Sequence, residues 1–148
     1  MTVDEALEGV SKLFLDTAPV IYHLEGHLRY SARMARLMQA RAERGIILVT
    51  SPVTLAECLI RPLRLRRHDL SEAYLTALTV ADGMELHALD IGEGIEAARI
   101  RAAYDLPLAD ALQVAAALGA SCEALLTNDA VFRRLRCPRP LLLDDLDP

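Results

Sequence analysis

The sequence lacks the features that mark a membrane-spanning or exported protein. No stretch approaches the uncharged run of roughly 18 residues that a membrane-spanning helix requires. The start, Met-Thr-Val-Asp-Glu-Ala-Leu-Glu, is acidic, unlike a secretory signal or a transit peptide. We therefore expect a cytoplasmic protein without a membrane partner.

Cysteine is also scarce, and its spacing excludes two kinds of site. Cys58, Cys122 and Cys137 form an odd set, and no two of them have the spacing of metal ligands. We expect all three to be reduced, small apolar side chains. His23 and His27 stand four residues apart, but no third ligand is near them in the sequence, so a zinc site is not expected.

Several catalytic motifs are missing as well. Asp16 is not followed by the second acid of a phosphatase Asp-x-Asp loop, and Gly92-Glu93-Gly94 lacks the third glycine of a dinucleotide-binding loop. The chain has no Gly-x-Ser-x-Gly nucleophile elbow. It also has no internal repeat or linker, and its 148 residues predict one domain, 1–148.

Lysine is nearly absent, so arginine supplies the positive charge. Of 16 basic residues only Lys12 is a lysine, and most arginines fall at 29–44, 61–67 and 133–139. The net charge of −5 argues against non-specific coating of nucleic acid. Arginine suits bidentate phosphate contact, although a solvated arginine-rich surface is an alternative interpretation. Arg61, Arg64, Arg66 and Arg67 are candidates to flank a substrate path.

Apolar residues are abundant for a small domain. They make up 53% of the chain, and the mean hydropathy is +0.23. A buried subunit interface would account for part of this excess. Apolar runs predict strands at 12–16, 46–50, 84–89, 123–127 and 141–143. Helix signals lie between them, at 31–44, from Pro52, at 69–81, 95–104, 107–118 and 131–135.

Strands that alternate with helices predict an α/β fold whose mostly parallel sheet is covered on both faces. Thr17 is expected to cap the helix after the first strand, with Pro19 in its first turn. Ser51-Pro52 is a strong helix start, with Ser51 as the cap. Residues 1–11 precede the first strand and are expected to add a helix.

Four acids, far apart in sequence, stand at the ends of these elements. Asp16 ends the first strand, and Asp129 lies two residues beyond the fourth. Glu57 and Asp110 lie in early turns of helices, and such helices begin at the edge where the carboxyl ends of the strands lie. The four carboxylates are therefore expected to face one cleft.

Four clustered carboxylates repel one another, and a divalent cation relieves the repulsion. An all-oxygen set favours Mg²⁺ or Mn²⁺ over Zn²⁺, and a metal-bound water is a good nucleophile for a phosphodiester. Each acid also has a purely structural interpretation. Asp16 or Asp129 could cap a helix, Asp110 could only favour a helix dipole, and Glu57 could be a solvated helix residue.

Four segments of the chain resemble, in order, the motifs of PIN-domain ribonucleases. They are Phe14–Tyr22, Ser51–Glu57, Leu106–Gln113 and Leu126–Phe132. The resemblance extends from about residue 12 to 143, and it is greatest to the toxin subunit of VapBC-type toxin–antitoxin pairs. No single motif is specific, but four with this spacing are.

The resemblance implies a Mg²⁺- or Mn²⁺-dependent endoribonuclease, usually dimeric, with a three-layer α/β/α fold around a sheet of four to five strands. Asp16 and Asp110 would be the main metal ligands, and Glu57 and Asp129 would complete the acidic pocket. Thr127 and Asn128 would orient water or phosphate. A small antitoxin protein would cover the cleft and inhibit the enzyme.

Two alternatives stay open at the level of sequence. One is a PIN-like scaffold or binding module with little catalysis. The other is a nuclease that acts on DNA or on RNA processing intermediates. The 2′-hydroxyl is the main feature by which proteins tell RNA from DNA, and no residue of the sequence is identified as reading it.

Overall fold

The centre of the molecule is a sheet of five short, parallel strands, described by a computed structural model that covers residues 1–148. The strands are β1 Lys12–Leu15, β2 Ile47–Thr50, β3 Met84–Leu86, β4 Ala124–Thr127 and β5 Arg139–Leu142. Their order in the sheet is β3-β2-β1-β4-β5, and every neighbouring pair is parallel. The five strands predicted from apolar runs are confirmed, with boundaries shifted by up to three residues.

Seven helices cover the sheet. They are α1 Val3–Ala6, α2 Thr17–Glu25, α3 Ser31–Arg44, α4 Pro52–Arg64, α5 His68–Thr79, α6 Ile91–Tyr104 and α7 Leu108–Gly119. Two 3-10 helices, Ala130–Arg134 and Leu143–Asp145, complete the fold. None of the helices is long and apolar enough to cross a membrane.

The sheet separates two apolar cores, because successive strand residues point to opposite faces. Leu13 and Leu15 of β1 lie in one core, which packs against α1 to α5. Phe14, between them, lies in the other core, which packs against α6 and α7. The three-layer α/β/α architecture is therefore confirmed.

The N-terminal segment forms the expected helix, but only for one turn. Thr2 and Glu5 make reciprocal capping hydrogen bonds around it, and Val3 and Ala6 are fully buried in the first core. The backbone N–H of Val3 donates to the carbonyl of Asp147 at 3.1 Å. The two ends of the chain are therefore hydrogen-bonded to each other.

Three local predictions are wrong. The helix expected from Ile95 begins at Ile91, because Asp90 accepts the backbone N–H of Glu93 at 2.8 Å and so starts the helix one turn earlier. The third strand ends at Leu86 instead of Leu89, because its partner strand β2 ends at Thr50, the residue paired with Leu86. Thr17 does not cap α2 but is its first residue.

Candidate active site

An acidic cleft lies at the edge of the sheet where the strands end. Asp16 follows β1 directly, and its backbone N–H donates to the carbonyl of Leu126 in the neighbouring β4 at 3.0 Å. Asp129 follows β4, Glu57 lies in the second turn of α4, and Asp110 lies in the first turn of α7. The four acids line one cleft of about 490 Å³, together with Thr17, Ala18, Ile21, Tyr22, Asn128 and Ala130.

None of the four acids forms an ion pair with a basic side chain. Every salt bridge of the protein joins other residues. Carboxylates brought together without a cation are costly, since each destabilises the ionised form of its neighbours. The cleft therefore has a surplus of negative charge that a bound cation would neutralise.

Asp16 is the most buried of the four, with 8% of its surface exposed. Its Oδ2 accepts the hydroxyl of Thr127 at 2.7 Å, and its Oδ1 accepts the side-chain amide of Gln113 at 3.3 Å. Asp16 occupies the cap position of α2, yet its side chain makes no capping hydrogen bond. The helix-cap interpretation of Asp16 is therefore wrong, and neutral donors hold its carboxylate toward the cleft.

Asp110 shows the repulsion directly. Burial, followed by the charges of Asp16, Asp129 and Glu57, raises the pKa of its carboxyl to about 6. A carboxylate in the first turn of a helix would be favoured by the helix dipole. At Asp110, however, burial and like charge outweigh that effect, so a helix-dipole role alone does not explain this residue.

Asp129 and Glu57 are exposed and each has one carboxylate oxygen without a protein partner. Asp129 Oδ1 accepts the backbone N–H of Val131 at 2.9 Å, so Asp129 does cap the 3-10 helix that follows it. Glu57 Oε1 accepts the hydroxyl of Thr17 at 3.0 Å. The remaining oxygens, Oδ2 and Oε2, are free to accept hydrogen bonds from water.

Thr127 and Asn128 have protein partners of their own. The buried hydroxyl of Thr127 donates to Asp16 and accepts the backbone N–H of Asp129 at 3.1 Å. The side chain of Asn128 donates to the hydroxyl of Tyr30 at 2.8 Å and accepts the backbone N–H of Asp144 at 3.2 Å. Both residues therefore order the cleft wall, and a role in orienting water or phosphate stays a prediction.

Gln113 is a site residue that was not predicted from the sequence. It is fully buried, and its amide nitrogen donates to Asp16 and, at 2.5 Å, to Thr54, while its oxygen accepts the hydroxyl of Ser51. It thereby connects Asp16 to the start of α4. The available signal was its position three residues after Asp110, which places both polar side chains on one side of an otherwise apolar helix.

The donor set fits a hard divalent cation, because it consists only of oxygen atoms and has no basic partner. The spacing is more open than in a closed metal site, since no three His, Cys, Asp or Glu side chains are close enough to hold an ion. Mg²⁺ usually keeps several waters and binds one or two carboxylates directly. The assignment of Asp16 and Asp110 to direct contacts, with Glu57 and Asp129 completing the pocket, stays a prediction.

Of the four arginines expected near a substrate path, two form ion pairs with acids outside the cleft lining. Arg61 pairs with Glu25 at 3.4 Å, and Arg67 pairs with Asp69 at 2.8 Å. Arg64 and Arg66 are exposed and form no ion pair. Arg61 and Arg64 follow Glu57 along one side of α4, at four and seven residues.

Comparisons with known proteins agree with this arrangement. The sequence model of the PIN domain family matches residues 13–136. Among curated proteins, none matches the sequence.

Two solved structures have a similar fold. One is VapBC2 from Rickettsia felis bound to a DNA fragment from their promoter, with 15% identity, a TM-score of 0.68, and coverage of 88% of this chain and 98% of that chain. The other is VapBC-5 from Mycobacterium tuberculosis, a member of the VapBC family of toxin–antitoxin systems. Its identity is 21% and its TM-score 0.56, over 89% of this chain and 97% of that chain.

Proposed function

This chain belongs to the PIN domain family, and from that premise we propose that it is a Mg²⁺- or Mn²⁺-dependent endoribonuclease, the toxin of a toxin–antitoxin pair. The observation that carries the proposal is the cleft in which four carboxylates meet without a basic partner. Such a cleft is adapted to a cation and, through it, to a phosphate. PIN domains are generally nucleases. The RNA substrate and the metal are proposed for this chain.

The side chains of the cleft have different proposed roles. Asp16 and Asp110 would hold the cation, which supplies a nucleophilic water and offsets the charge that develops on phosphorus. Thr127 and Gln113 keep the Asp16 carboxylate pointed into the cleft through their hydrogen bonds. Glu57 and Asp129 each present a free carboxylate oxygen, so they can orient the attacking water and accept its proton.

The test is cleavage of structured RNA by the purified chain in Mg²⁺ or Mn²⁺, beside single-stranded DNA of the same sequence. We expect cleavage of RNA that EDTA abolishes and that Asp16→Asn abolishes without loss of the fold. Asp82→Asn is the matched control, because Asp82 is exposed and lies outside the acidic cleft. A folded Asp16→Asn protein that cuts RNA as fast as the parent would contradict the assignment.

The proposed partners are a small antitoxin protein and a second copy of this chain. Both similar structures are VapBC proteins, and VapBC-5 is a member of the VapBC family of toxin–antitoxin systems, which supports the antitoxin. Large apolar side chains are exposed along and after α4, namely Ile60, Leu63 and Leu65, which supports an interface there. Light scattering of the purified chain tests the dimer. Co-purification with the product of a neighbouring short reading frame tests the antitoxin.

A further inference from the structure

We propose that Tyr22 binds the substrate by stacking on a nucleobase of single-stranded RNA at the wall of the acidic cleft. This inference rests on the proposed ribonuclease function and names the part of the RNA that the cleft wall contacts. Tyr22 is the one aromatic residue among those that line the cleft. Its side chain is half-buried, so part of the ring is accessible to a ligand.

The helix that begins after Asp16 places Tyr22 on the cleft wall. Ala18, Ile21 and Tyr22 all line the cleft, and their spacing of three and four residues puts them on one side of α2. Ala18 and Ile21 make this wall apolar next to the carboxylates. A base, which has an apolar face and a polar edge, suits an apolar wall that carries one aromatic ring.

The Tyr22 ring is held in place by a second aromatic ring. Tyr30 stacks on it with ring centroids 4.4 Å apart and planes 12° from parallel. Tyr30 is itself only 4% exposed, and its hydroxyl accepts the amide of Asn128 at 2.8 Å and donates to Asp144 at 3.0 Å. Because Asn128 lies beside Asp129, the aromatic pair is fixed to the same segment as one of the cleft acids.

An exposed histidine extends the aromatic surface. The His27 ring lies 4.7 Å from the Tyr22 ring and 5.0 Å from the Tyr30 ring, tilted to both. A surface that is already rigid loses little conformational freedom when a base stacks on it. Tyr22 and His27 therefore form an aromatic platform beside the acidic cleft, and the buried Tyr30 ring supports it.

Positive charge lies next to this platform. The guanidinium carbon of Arg29 is 5.3 Å from the centroid of the Tyr30 ring, and that of Arg33 is 5.9 Å away. Arg29 is largely exposed, and its ion pair with Asp144 is at the surface, where such a pair contributes little to stability, so a phosphate can compete for the guanidinium at little cost. The cleft repels a bare RNA backbone, whereas this flank attracts it. Aromatic rings beside cationic groups are the usual elements of a single-strand binding surface.

Only unpaired RNA can use such a platform. In a duplex the bases are stacked on one another, and proteins that read single strands take up splayed bases on aromatic side chains. Base–aromatic stacking typically contributes about 5- to 150-fold in affinity for each base. The structural alternative is that Tyr22 only packs against the first core, to which it also belongs at its edge.

The experiment measures the affinity of a short single-stranded oligoribonucleotide, and of the same oligonucleotide with an abasic site at each position in turn. The protein carries Asp110→Asn, so that the RNA is not consumed. We expect one abasic position to weaken binding about 5- to 150-fold when Tyr22 is present. In the Tyr22→Leu background the same abasic site should cost nothing further, and Tyr22→Phe should behave like tyrosine.

The matched control is Tyr104→Leu, a half-buried tyrosine outside the cleft lining, which should leave the abasic sensitivity unchanged. If Tyr22→Leu fails to fold, the abasic series on the protein with Tyr22 still tests the proposal, because stacking requires one sensitive position. Tyr22→Phe must keep that sensitivity. The stacking proposal is overturned if no abasic position matters, or if the sensitive position stays equally sensitive in folded Tyr22→Leu.

Cleavage assays separate this proposal from the nuclease function. We expect Tyr22→Leu to raise KM for single-stranded RNA and to leave kcat near that of the parent. If the parent cuts RNA and Tyr22→Leu binds and cuts identically, stacking is refuted and the nuclease function stands. If the parent cuts no RNA but the abasic sensitivity depends on Tyr22, stacking stands and catalysis is refuted.

Discussion

Replacing Asp110 by asparagine should stabilise the metal-free protein at neutral pH, even though it removes a proposed metal ligand. Burial and, to a smaller extent, the charges of Asp16, Asp129 and Glu57 together raise the pKa of the Asp110 carboxyl from 3.8 to about 6. The folded protein therefore ionises this group at a cost that the unfolded chain does not bear. Asparagine has nearly the same shape and no charge, so it removes that cost.

The pKa shift sets both the sign and the size of the effect. Below pH 3.8 the carboxyl is protonated in both states, and the substitution should change nothing. Between pH 3.8 and about 6 the unfolded chain loses its proton while the folded protein keeps it, so the free energy of unfolding falls by about 1.4 kcal/mol per pH unit. The ceiling is about 3 kcal/mol, and because Asp110 is partly exposed, solvent screening reduces the expected gain to about 1–2 kcal/mol.

Urea denaturation in EDTA, at about pH 7.5 and again near pH 3.5, measures this difference. Glu123→Gln is a control of opposite sign. Burial opposes ionisation of Glu123, but the backbone N–H groups of Lys12 and Ser11 lower its pKa overall, so its loss should destabilise the folded protein.

Added Mn²⁺ should reverse the order of stability of the parent and Asp110→Asn. At a hundred times its Kd it contributes about 2.7 kcal/mol to the parent, and less to Asp110→Asn.

The reasoning is refuted if Asp110→Asn gives no gain in EDTA at neutral pH, or if the same gain persists near pH 3.5. The first result would mean that neither burial nor the neighbouring carboxylates disfavour the ionised Asp110 side chain. The second would mean that the substitution acts through packing and not through charge. A parent protein that Mn²⁺ leaves unchanged would instead argue against the cation.

Two further predictions concern stability. Gln113→Leu should lower the free energy of unfolding by about 1–3 kcal/mol in urea denaturation, because it leaves the buried hydroxyls of Ser51 and Thr54 without their partner, and it should weaken Mn²⁺ binding. The control is Gln39→Leu at an exposed position, which should change stability by less than about 0.5 kcal/mol. Equal effects of the two substitutions would contradict the argument. Gly119→Ala should destabilise by about 1–2 kcal/mol, because its Cβ would clash with the Glu93 carboxylate, which is buried and held by His87 and by the backbone N–H of Asp90. Gly94→Ala meets nothing within 4 Å and should gain about 0.5–1 kcal/mol. Stabilisation at both glycines would refute the clash.

The fold was predictable because its elements are marked locally. The runs that became β1, β2 and β4 are apolar and buried on both faces, as parallel strands require. The start of α4 was marked by Ser51-Pro52, and Ser51 does accept the backbone N–H of Val53. The start of α6 was missed because Gly92 and Gly94 weaken the helix pattern, whereas its capping residues lie just before and between them.

The cleft was predictable only as a set of residues, because its chemistry depends on partners far away in sequence. Asp16 and Asp129 both follow neighbouring parallel strands and look alike in the sequence. Asp16 is buried and held by the side chains of Thr127 and Gln113, 111 and 97 residues away, whereas Asp129 is exposed and caps the helix beside it. The rule that ligands bind at the carboxyl ends of strands places both residues but cannot rank them. The tertiary hydrogen bonds distinguish the two residues. They fix the Asp16 carboxylate before any cation binds, whereas Asp129 keeps one carboxylate oxygen that can bind water.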